Sequence, residues 1–489
     1  MKQVKGLEFS DENIQRLFGY EDAESEPIDR LREYYFKNET FARVSADLPI
    51  RLLVGHKGIG KSALFKVSIS EDIDKGNLPI LIKPDDIAEL GNDEDNFLLS
   101  IRKWKSGLNQ IIGSKVFNEF GITDKSTLNK LSNYSLKLIN FIVESITIAT
   151  ENVDLSTSKK LIVDNFLKTK KIIVYIDDLD RGWEGKKKDI NRLSALLNSI
   201  RDLASENPGL CFKVSLRSDV YFLVRTSDES TDKIEGSVVW YSWSNHEILI
   251  MLIKRILTYF EKDFDENILL NTQQYHLAFY LDNVMESKFQ GHGKWENKAM
   301  YKILMSLIRK RPRDLVKLCT LAGREAHKAK SNLIKTEHFQ NIFEEYSQGR
   351  IQDTINEYRT ELPLIEKLIF GMKPSKKSKI AYVDSFVFTT PELHLKLNNL
   401  LQQNRFTFAN SKIATAQDLA HFLYKINFLT ARKILADGEI DRKYFEENRY
   451  LSNSTVNFGY DWEIHPAYRW ALQPDTIDDI FNKLSPSAD

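Results

Sequence analysis

The stretch "RLLVGHKGIGKSALFKV", residues 51–67, passes from an apolar run through a glycine-rich loop into an amphipathic pattern. The apolar run begins one residue earlier, and "IRLLV", residues 50–54, is typical of a strand buried in a parallel sheet. Apolar residues then recur at helical spacing, at Ala63, Leu64, Val67 and Ile69. The stretch therefore predicts a strand, a loop and a helix whose N-terminus points at the loop, as anion binding requires.

The loop matches the pattern G-x-x-x-x-G-K-[ST], the P-loop pattern, through Gly55, Gly60, Lys61 and Ser62. In this pattern the glycines let backbone N–H groups turn inward around the β-phosphate, the lysine reaches the β- and γ-phosphates, and the hydroxyl binds Mg²⁺. The alternative is a glycine turn that happens to precede a helix. The predicted nucleotide-binding residues are Gly55, His56, Lys57, Gly58, Ile59, Gly60, Lys61, Ser62 and Ala63.

A second apolar run, in "KKIIVYIDDLDRGW" at residues 170–183, ends in three acids, Asp177, Asp178 and Asp180. A buried strand followed by an acid is the Walker B arrangement, in which the carboxylate at the end of the strand holds Mg²⁺. Asp177 is the candidate for this metal-binding role. Asp178 is the candidate for the base that polarises the attacking water, and the alternative is a solvated acid after a strand.

Further strands are predicted at 78–84, at 210–221 and at 237–243. The strand at 210–221 carries Ser215, Arg217 and Ser218, where a sensor of the γ-phosphate would lie, although ordinary polar residues after a strand are an equal alternative. Lys61 and Asp177 are 116 residues apart, far more than one strand-helix-strand unit needs. The excess reads as helices, so an insertion is predicted at about 94–169.

The rest of the chain is predicted to be helical up to about residue 358. A helix starts near Asn245, the expected N-cap, and Pro312 breaks a later helix between Arg311 and Arg313. From 359 onwards the order is helix, strand, two helices and a β-hairpin, which is a winged-helix order. The predicted domains are an N-terminal helical segment (1–48), an α/β core with a parallel sheet (49–243), a helical lid (244–358) and a winged-helix-like α+β domain (359–489).

Composition limits the class of protein. Lysine plus arginine and aspartate plus glutamate both number 69, so no global field attracts nucleic acid or an anionic membrane. The N-terminus lacks the apolar core of a signal peptide, and the most apolar long window, residues 136–150, is interrupted by Lys137, Asn140 and Glu144. Two cysteines far apart indicate a reducing compartment. These features predict a cytoplasmic protein without a membrane partner.

The loop "GHKGIGKS", the strand end "IDDLDR" and the break "RPRDLV" together resemble additional-strand P-loop NTPases of the AAA+/STAND superclass, nearest to soluble KAP-like bacterial NTPases. The resemblance covers roughly residues 15–345. It implies a five-stranded parallel core, a helical lid and often a C-terminal winged helix. It also implies ATP and Mg²⁺ as cofactors, catalytic roles for Lys61 and Asp178, and a sensor role in the lid for Arg313 or Arg311. The alternative for the run "RKRPR" is a solvated basic surface.

Two functions are compatible with these features. In the first, the protein is an ATPase, a switch or motor that forms a homo-oligomer and controls a nucleic acid or a protein effector. The resemblance makes anti-phage defence or genome maintenance a plausible setting, and it leaves Arg181, Arg217 and Arg225 open as arginines donated to a neighbouring subunit. In the second, ATP is a structural ligand and the winged helix binds DNA through Arg432, Lys433, Arg442 and Lys443, although Glu439, Asp441, Glu446 and Glu447 lie among them.

Overall fold

The computed structural model describes residues 7–90, 96–120, 138–150, 166–227, 229–374, 386–436, 440–449, 451 and 459–472. Its α-helices, numbered in chain order, are α1 (Asp11–Phe18), α2 (Ile28–Tyr34), α3 (Glu39–Ser45), α4 (Lys61–Asp74), α5 (Phe97–Phe120), α6 (Leu138–Thr150), α7 (Lys187–Glu206), α8 (Ser218–Ser227), α9 (Asn245–Tyr259), α10 (Glu266–Asn271), α11 (Gln274–Leu277), α12 (Met300–Leu307), α13 (Pro312–Lys328), α14 (Thr336–Tyr358), α15 (Ile365–Gly371), α16 (Thr390–Gln403) and α17 (Ala416–Lys425). Of these helices, none is long and apolar enough to span a membrane.

The strands form two sheets. Their bounds are β1 (Ile50–Val54), β2 (Leu78–Ile82), β3 (Ile172–Ile176), β4 (Leu210–Leu216), β5 (Val238–Trp240), β6 (Val387–Phe388), β7 (Leu429–Ile434), β8 (Ile440–Lys443) and β9 (Asp461–Ile464). The first sheet has the order β2-β3-β4-β1-β5 and is parallel throughout, whereas the second has the order β6-β9-β7-β8 and is antiparallel.

The chain divides into two compact units. The first unit lies within Met1–Phe36, Gly58–Gly60 and Ser242–Asp489, and the second within Lys37–Lys57 and Lys61–Tyr241. The second unit contains the parallel sheet, and the first contains the antiparallel sheet and most of the helices.

In the second unit, β4 lies between β1 and β3, so an additional strand separates the strand before the glycine-rich loop from the strand that ends in acids. Both β3 and β4 are buried along their whole length, as expected of central strands in a parallel sheet, and β3 is apolar throughout. All five strands are parallel, so their carboxyl ends meet at one edge of the sheet. The structure confirms the predicted α/β core with a parallel sheet, and α5, in the predicted insertion, packs on α7.

Two local predictions, one in each unit, were wrong. The strand predicted to run to residue 221 ends at Leu216, and α8 begins at Ser218 because Val220, Tyr221 and Val224 recur at helical rather than strand spacing. The N-cap of α9 is Ser244 and not Asn245. Ser244 Oγ accepts from Glu247 N at 3.1 Å, and the Glu247 carboxylate accepts from Ser244 N at 2.7 Å, which is a capping box.

In the first unit, α1 packs against α9 and α13, and α13 packs against α14. Pro312 is the first residue of α13, as expected of a proline that ends one helix and starts the next. The C-terminal elements follow the order α15, β6, α16, α17, β7, β8, β9, so the winged-helix-like domain is confirmed.

The two strands predicted to form a hairpin in the C-terminal domain correspond to β7 and β9, which pair antiparallel, but β8 comes between them in the chain, so they do not form a hairpin. The sequence reading missed β8, which pairs with the other edge of β7. The insertion predicted at about 94–169 and the winged-helix-like domain predicted at 359–489 lie partly outside the described residues.

Candidate functional site

The glycine-rich loop connects β1 to α4 and closes on its own carbonyl groups. Lys61 Nζ donates to the carbonyl oxygens of Gly55 at 3.0 Å and His56 at 3.2 Å, and Gly55 N donates to Leu216 O on the neighbouring strand at 3.2 Å. Gly58 and Gly60 have φ angles of 77° and 105°, backbone conformations that residues with a Cβ rarely adopt. The loop therefore has the curved backbone that a phosphate cradle needs, with an ammonium group folded across its first two residues.

The tip of the loop, Gly58–Gly60, belongs to the first unit. Two other residues of that unit bind its backbone. The buried indole of Trp243 donates from Nε1 to Ile59 O at 2.9 Å. The backbone N–H of Arg313 donates to Gly58 O at 3.4 Å. Consecutive carbonyl groups of the tip are thus held from outside the loop.

In the second unit, polar groups from the ends of β3 and β4 join the first residues of the loop at the carboxyl edge of the sheet. Asp177 Oδ1 accepts from Asp178 N at 2.9 Å and from the hydroxyl of Ser215. The Ser218 hydroxyl and His56 Nδ1, both buried, lie 3.1 Å apart. Hydrogen bonds therefore connect the end of β3 to β4, and the start of α8 to the loop.

Asp178 adopts a left-handed backbone conformation. Its φ angle is 61°, a region that residues other than glycine seldom adopt but that aspartate and asparagine enter more readily than most. Its side chain is 44% exposed and accepts from Arg181 Nη2 at 3.2 Å. The turn after β3 therefore presents one acid, Asp177, to β4 and the next, Asp178, largely to solvent.

Arg217 is held within its own unit. Its Nε and Nη2 donate to the two carboxylate oxygens of Asp219 at 3.0 and 2.7 Å, and its Nη1 donates to Asp180 at 3.2 Å. This buried fork bridges the segments that follow β3 and β4. The paired Arg217 is thus a poor choice for an arginine donated to another subunit. Arg225 pairs with Asp232 and Glu235, and Arg181 pairs with Asp178.

The two sensor candidates of the lid, Arg311 and Arg313, have different surroundings in the structure. Arg311 is buried, and its Nη1 donates to Glu357 at 3.1 Å. Arg313 is half-buried and packs on Gly58, because a Cβ added to that glycine would lie 3.2 Å from the Cβ of Arg313. Its Nε donates to Glu21 O at 3.0 Å. A solvated surface is therefore wrong for this basic run, since Arg309 is buried as well.

The predicted metal ligands have suitable chemistry. Ser62 is in the first turn of α4, and Asp177 follows β3, so a hydroxyl and a carboxylate come from the segments after two strands of one edge. Mg²⁺ prefers oxygen donors and is usually bound by one or two protein oxygens together with phosphates and water. Within the described residues no group of three or more His, Cys, Asp or Glu residues is placed to hold a metal. The residues fit a nucleotide-bound Mg²⁺, and their roles remain predictions.

Two of the four basic residues predicted to contact DNA, Arg432 and Arg442, are buried in the C-terminal domain. Arg442 donates to Glu463 at 2.6 and 3.2 Å, and the buried Arg432 lies 3.9 Å from the same carboxylate. Lys443 pairs with Asp441 at 3.2 Å. Lys433 lies over the ring of Tyr460, and Glu439 lies outside the described residues. Two of the four proposed DNA contacts are therefore unavailable to a phosphate backbone.

A scan against models of protein families finds no match, and neither does a search of curated proteins. Solved structures are similar over most of the chain at low identity. The Walker-type ATPase PABY2304 of Pyrococcus abyssi is 15% identical, with 77% of this chain and 93% of that chain covered and a TM-score of 0.35. The Aeropyrum pernix ORC2 protein, in ADPNP–ADP complexes, is 10% identical, with 88% and 89% covered and a TM-score of 0.40. The Drosophila ORC bound to DNA is 10% identical, with 98% and 94% covered and a TM-score of 0.32.

TM-scores of 0.40 or lower do not establish a shared fold. The fold is therefore assigned from the strand order of the parallel sheet and the position of the glycine-rich loop. The order β2-β3-β4-β1-β5, with the glycine-rich loop after β1 and the acids after β3, is the arrangement of additional-strand P-loop NTPases. The second unit of this protein has that fold.

Sequence reasoning missed the side chain that binds the tip of the loop, Trp243. Trp243 carries no motif, and only the fold brings its indole to a loop 184 residues earlier. A buried triad that joins the C-terminal end of α4 to β3 and β4 was also missed. The Tyr175 hydroxyl donates to Asp72 at 2.5 Å, and Lys213 Nζ donates to Asp72 at 3.1 Å and to Tyr175 at 2.9 Å. A lysine within the apolar run of β4 was the available signal for this triad, because a buried lysine needs a partner.

Proposed function

We propose that this protein is a Mg²⁺-dependent ATP-binding and ATP-hydrolysing switch of the AAA+ type, and that the KAP-like or STAND subclass describes it more finely. The observation that supports this proposal is the set of hydrogen bonds at the carboxyl edge of the parallel sheet. There Ser215 donates to Asp177, and the Ser218 hydroxyl lies within hydrogen-bond distance of His56. Both pairs lie beside the loop, in which Lys61 donates to Gly55 O. A cytoplasmic location and a role in anti-phage defence or genome maintenance belong to the same proposal.

The roles follow from the chemistry of phosphoryl transfer, which needs mainly positioning and neutralisation of charge. Lys61 places a positive charge at the β- and γ-phosphates. Ser62 and Asp177 hold Mg²⁺, which neutralises phosphate charge when it is bound. Asp178 accepts a hydrogen bond from the attacking water, and its exposure leaves room for that water. Arg313 is the sensor that the contact with Gly58 favours over Arg311.

The C-terminal domain acts in this proposal as a regulatory element docked on the lid. Arg309 Nη1 donates to the Tyr468 hydroxyl at 2.9 Å, and the neighbouring Lys310 pairs with Glu447 and lies over the ring of Tyr444. These contacts join the start of α13 to the C-terminal domain. Because Arg432 and Arg442 are buried, we favour a protein effector or another copy of this chain over DNA as the partner.

The proposal is tested by adding ATP with and without Mg²⁺ and measuring binding by calorimetry, phosphate release and molar mass by light scattering. We expect binding, Mg²⁺-dependent phosphate release and a change in molar mass with ATP. Binding without phosphate release under all conditions would instead support a structural role for ATP. Duplex DNA is included at low salt, and salt-dependent binding that is lost without residues 359–489 would favour the DNA-binding alternative.

The contact between Gly58 and Arg313 gives a prediction about the loop. Gly58→Ala adds a Cβ at a φ of 77° and 3.2 Å from Arg313, so we expect ADP affinity to fall about tenfold as the tip shifts. Gly459→Ala is the matched control, because it has the same φ of 77° and nothing within 4 Å of the added Cβ. Titration with a fluorescent ADP analogue checks this, and equal affinities of the two variants would contradict it.

A further inference from the structure

Trp243 stands out because a buried indole binds the backbone of the glycine-rich loop. It comes shortly after β5 and precedes α9, and it packs against Phe36 with ring centroids 6.3 Å apart. The side chain is 4% exposed, and its Nε1 donates to Ile59 O at 2.9 Å, a normal length for a strong N–H···O bond. The bond pins one peptide group of the loop tip.

The orientation of that peptide group decides where an N–H points. In a planar trans peptide the C=O of one residue and the N–H of the next point in opposite directions. When Trp243 holds the C=O of Ile59, the N–H of Gly60 is directed away from the indole. The Arg313 backbone acts in the same way on Gly58 O, at 3.4 Å, and directs the N–H of Ile59 away from α13.

A phosphate loop works through N–H groups that converge on the anion, so carbonyl groups have to be turned outward and kept there. Gly60, with a φ of 105°, has little intrinsic preference for one orientation. An external donor on the preceding carbonyl removes that freedom before the nucleotide arrives.

We propose that Trp243 is a positioning residue for nucleotide binding, and that its indole N–H fixes the Ile59–Gly60 peptide so that the Gly60 N–H faces the β-phosphate. This inference rests on the proposed function.

The bond should also report on the ligand. When the Gly60 N–H donates to a phosphate, polarisation of the peptide strengthens Ile59 O as an acceptor. The indole proton of Trp243 then shifts downfield in the NMR spectrum when ADP is added. The chain has seven tryptophans, so the indole region of the spectrum is sparse enough to assign by substitution.

The experiment compares Trp243→Phe with Trp104→Phe, both buried tryptophans, of which Trp104 lies in α5 and not at the loop. Loss of the donor leaves a buried carbonyl without its partner, so we expect the Kd for ADP to rise about 5- to 30-fold in Trp243→Phe. We expect it to change less than about twofold in Trp104→Phe. Thermal unfolding without nucleotide separates affinity from stability.

The outcomes are distinguishable. If the wild-type chain binds no ADP, the proposed function fails. If the wild type binds and Trp243→Phe binds as tightly as Trp104→Phe, the positioning role fails while the proposed function stands. If Trp243→Phe does not fold, Trp243→Tyr serves to assign the indole resonance. An indole resonance that saturating ADP leaves unmoved in the wild type overturns the inference.

Discussion

Lys61→Ala is expected to reduce ATP hydrolysis by about 100-fold or more and to weaken ATP binding, and Asp178→Asn is expected to abolish hydrolysis while binding is retained. The two variants differ because they remove different parts of the reaction. Lys61 carries the charge that neutralises the phosphates in both the bound state and the transition state. Asp178 is a hydrogen-bond acceptor for water, which matters only during hydrolysis.

The geometry of each residue supports this difference. Lys61 Nζ already lies on the loop, 3.0 Å from Gly55 O, so loss of its side chain removes charge from the place where phosphates are expected. Asparagine at position 178 keeps the size of the side chain and one acceptor oxygen, but it loses the negative charge. The φ of 61° remains accessible, since asparagine tolerates that left-handed conformation as aspartate does.

Phosphate release and nucleotide titration are measured for both variants beside Lys66→Ala. Lys66 lies on the same helix, α4, so this control removes an equal charge outside the loop. Full turnover in both Lys61→Ala and Asp178→Asn would contradict an ATPase site at this edge. Loss of turnover in Lys66→Ala as well would point to damage of the helix rather than of the site.

The core of the fold could be predicted because its signals are local. A strand buried in a parallel sheet is visible in the sequence as a short run of apolar residues. The bounds predicted for β1 match the structure. The loop is recognised by glycines that its backbone requires. Ser244 and Glu247 also form a local signal, the capping box, and it was overlooked in favour of the adjacent Asn245.

The surroundings of the charged residues could not be predicted, because their partners are far away in sequence. Arg311 and Arg313 are two residues apart in one basic run, yet Arg311 meets Glu357 and Arg313 meets Gly58. Likewise, Arg442 is part of an apparently exposed basic stretch until Glu463 is placed beside it. Only the tertiary fold decides whether such an arginine binds a ligand or stabilises a core.

The clearest consequence for stability concerns Glu463 of β9, which is 1% exposed. Arg442 donates to both of its oxygens, the buried Arg469 donates to one of them, and Arg432 lies 3.9 Å away. Burial alone raises the pKa of this carboxyl group, but the attraction of Arg442 and Arg469 outweighs burial and lowers the pKa to about 2. Glu463 thus compensates the charge of several buried guanidinium groups at once.

Glu463→Gln is therefore expected to cost about 3–5 kcal/mol of stability, because it leaves buried arginines without their counter-charge. The pH dependence has a definite sign. A carboxyl group with a lowered folded pKa contributes stability above its unfolded value of 4.5, and that contribution is lost as the pH falls from about 4.5 towards 2. The wild type should lose stability across this window, and the variant should lack this part of the loss.

Urea unfolding between pH 7 and pH 3, followed by tryptophan fluorescence, measures both effects, because the buried Trp462 is adjacent in β9 and Trp470 lies close in sequence. Glu366→Gln is the control, since that glutamate lies on α15 and its side chain is 59% exposed, 3.8 Å from Arg359. Such a surface pair contributes about 0–1 kcal/mol, so its loss should hardly move the midpoint. If Glu463→Gln were as stable as Glu366→Gln at pH 7, the arginines around position 463 would have to be compensated elsewhere, and the inward-facing charge that argues against DNA binding would lose its support.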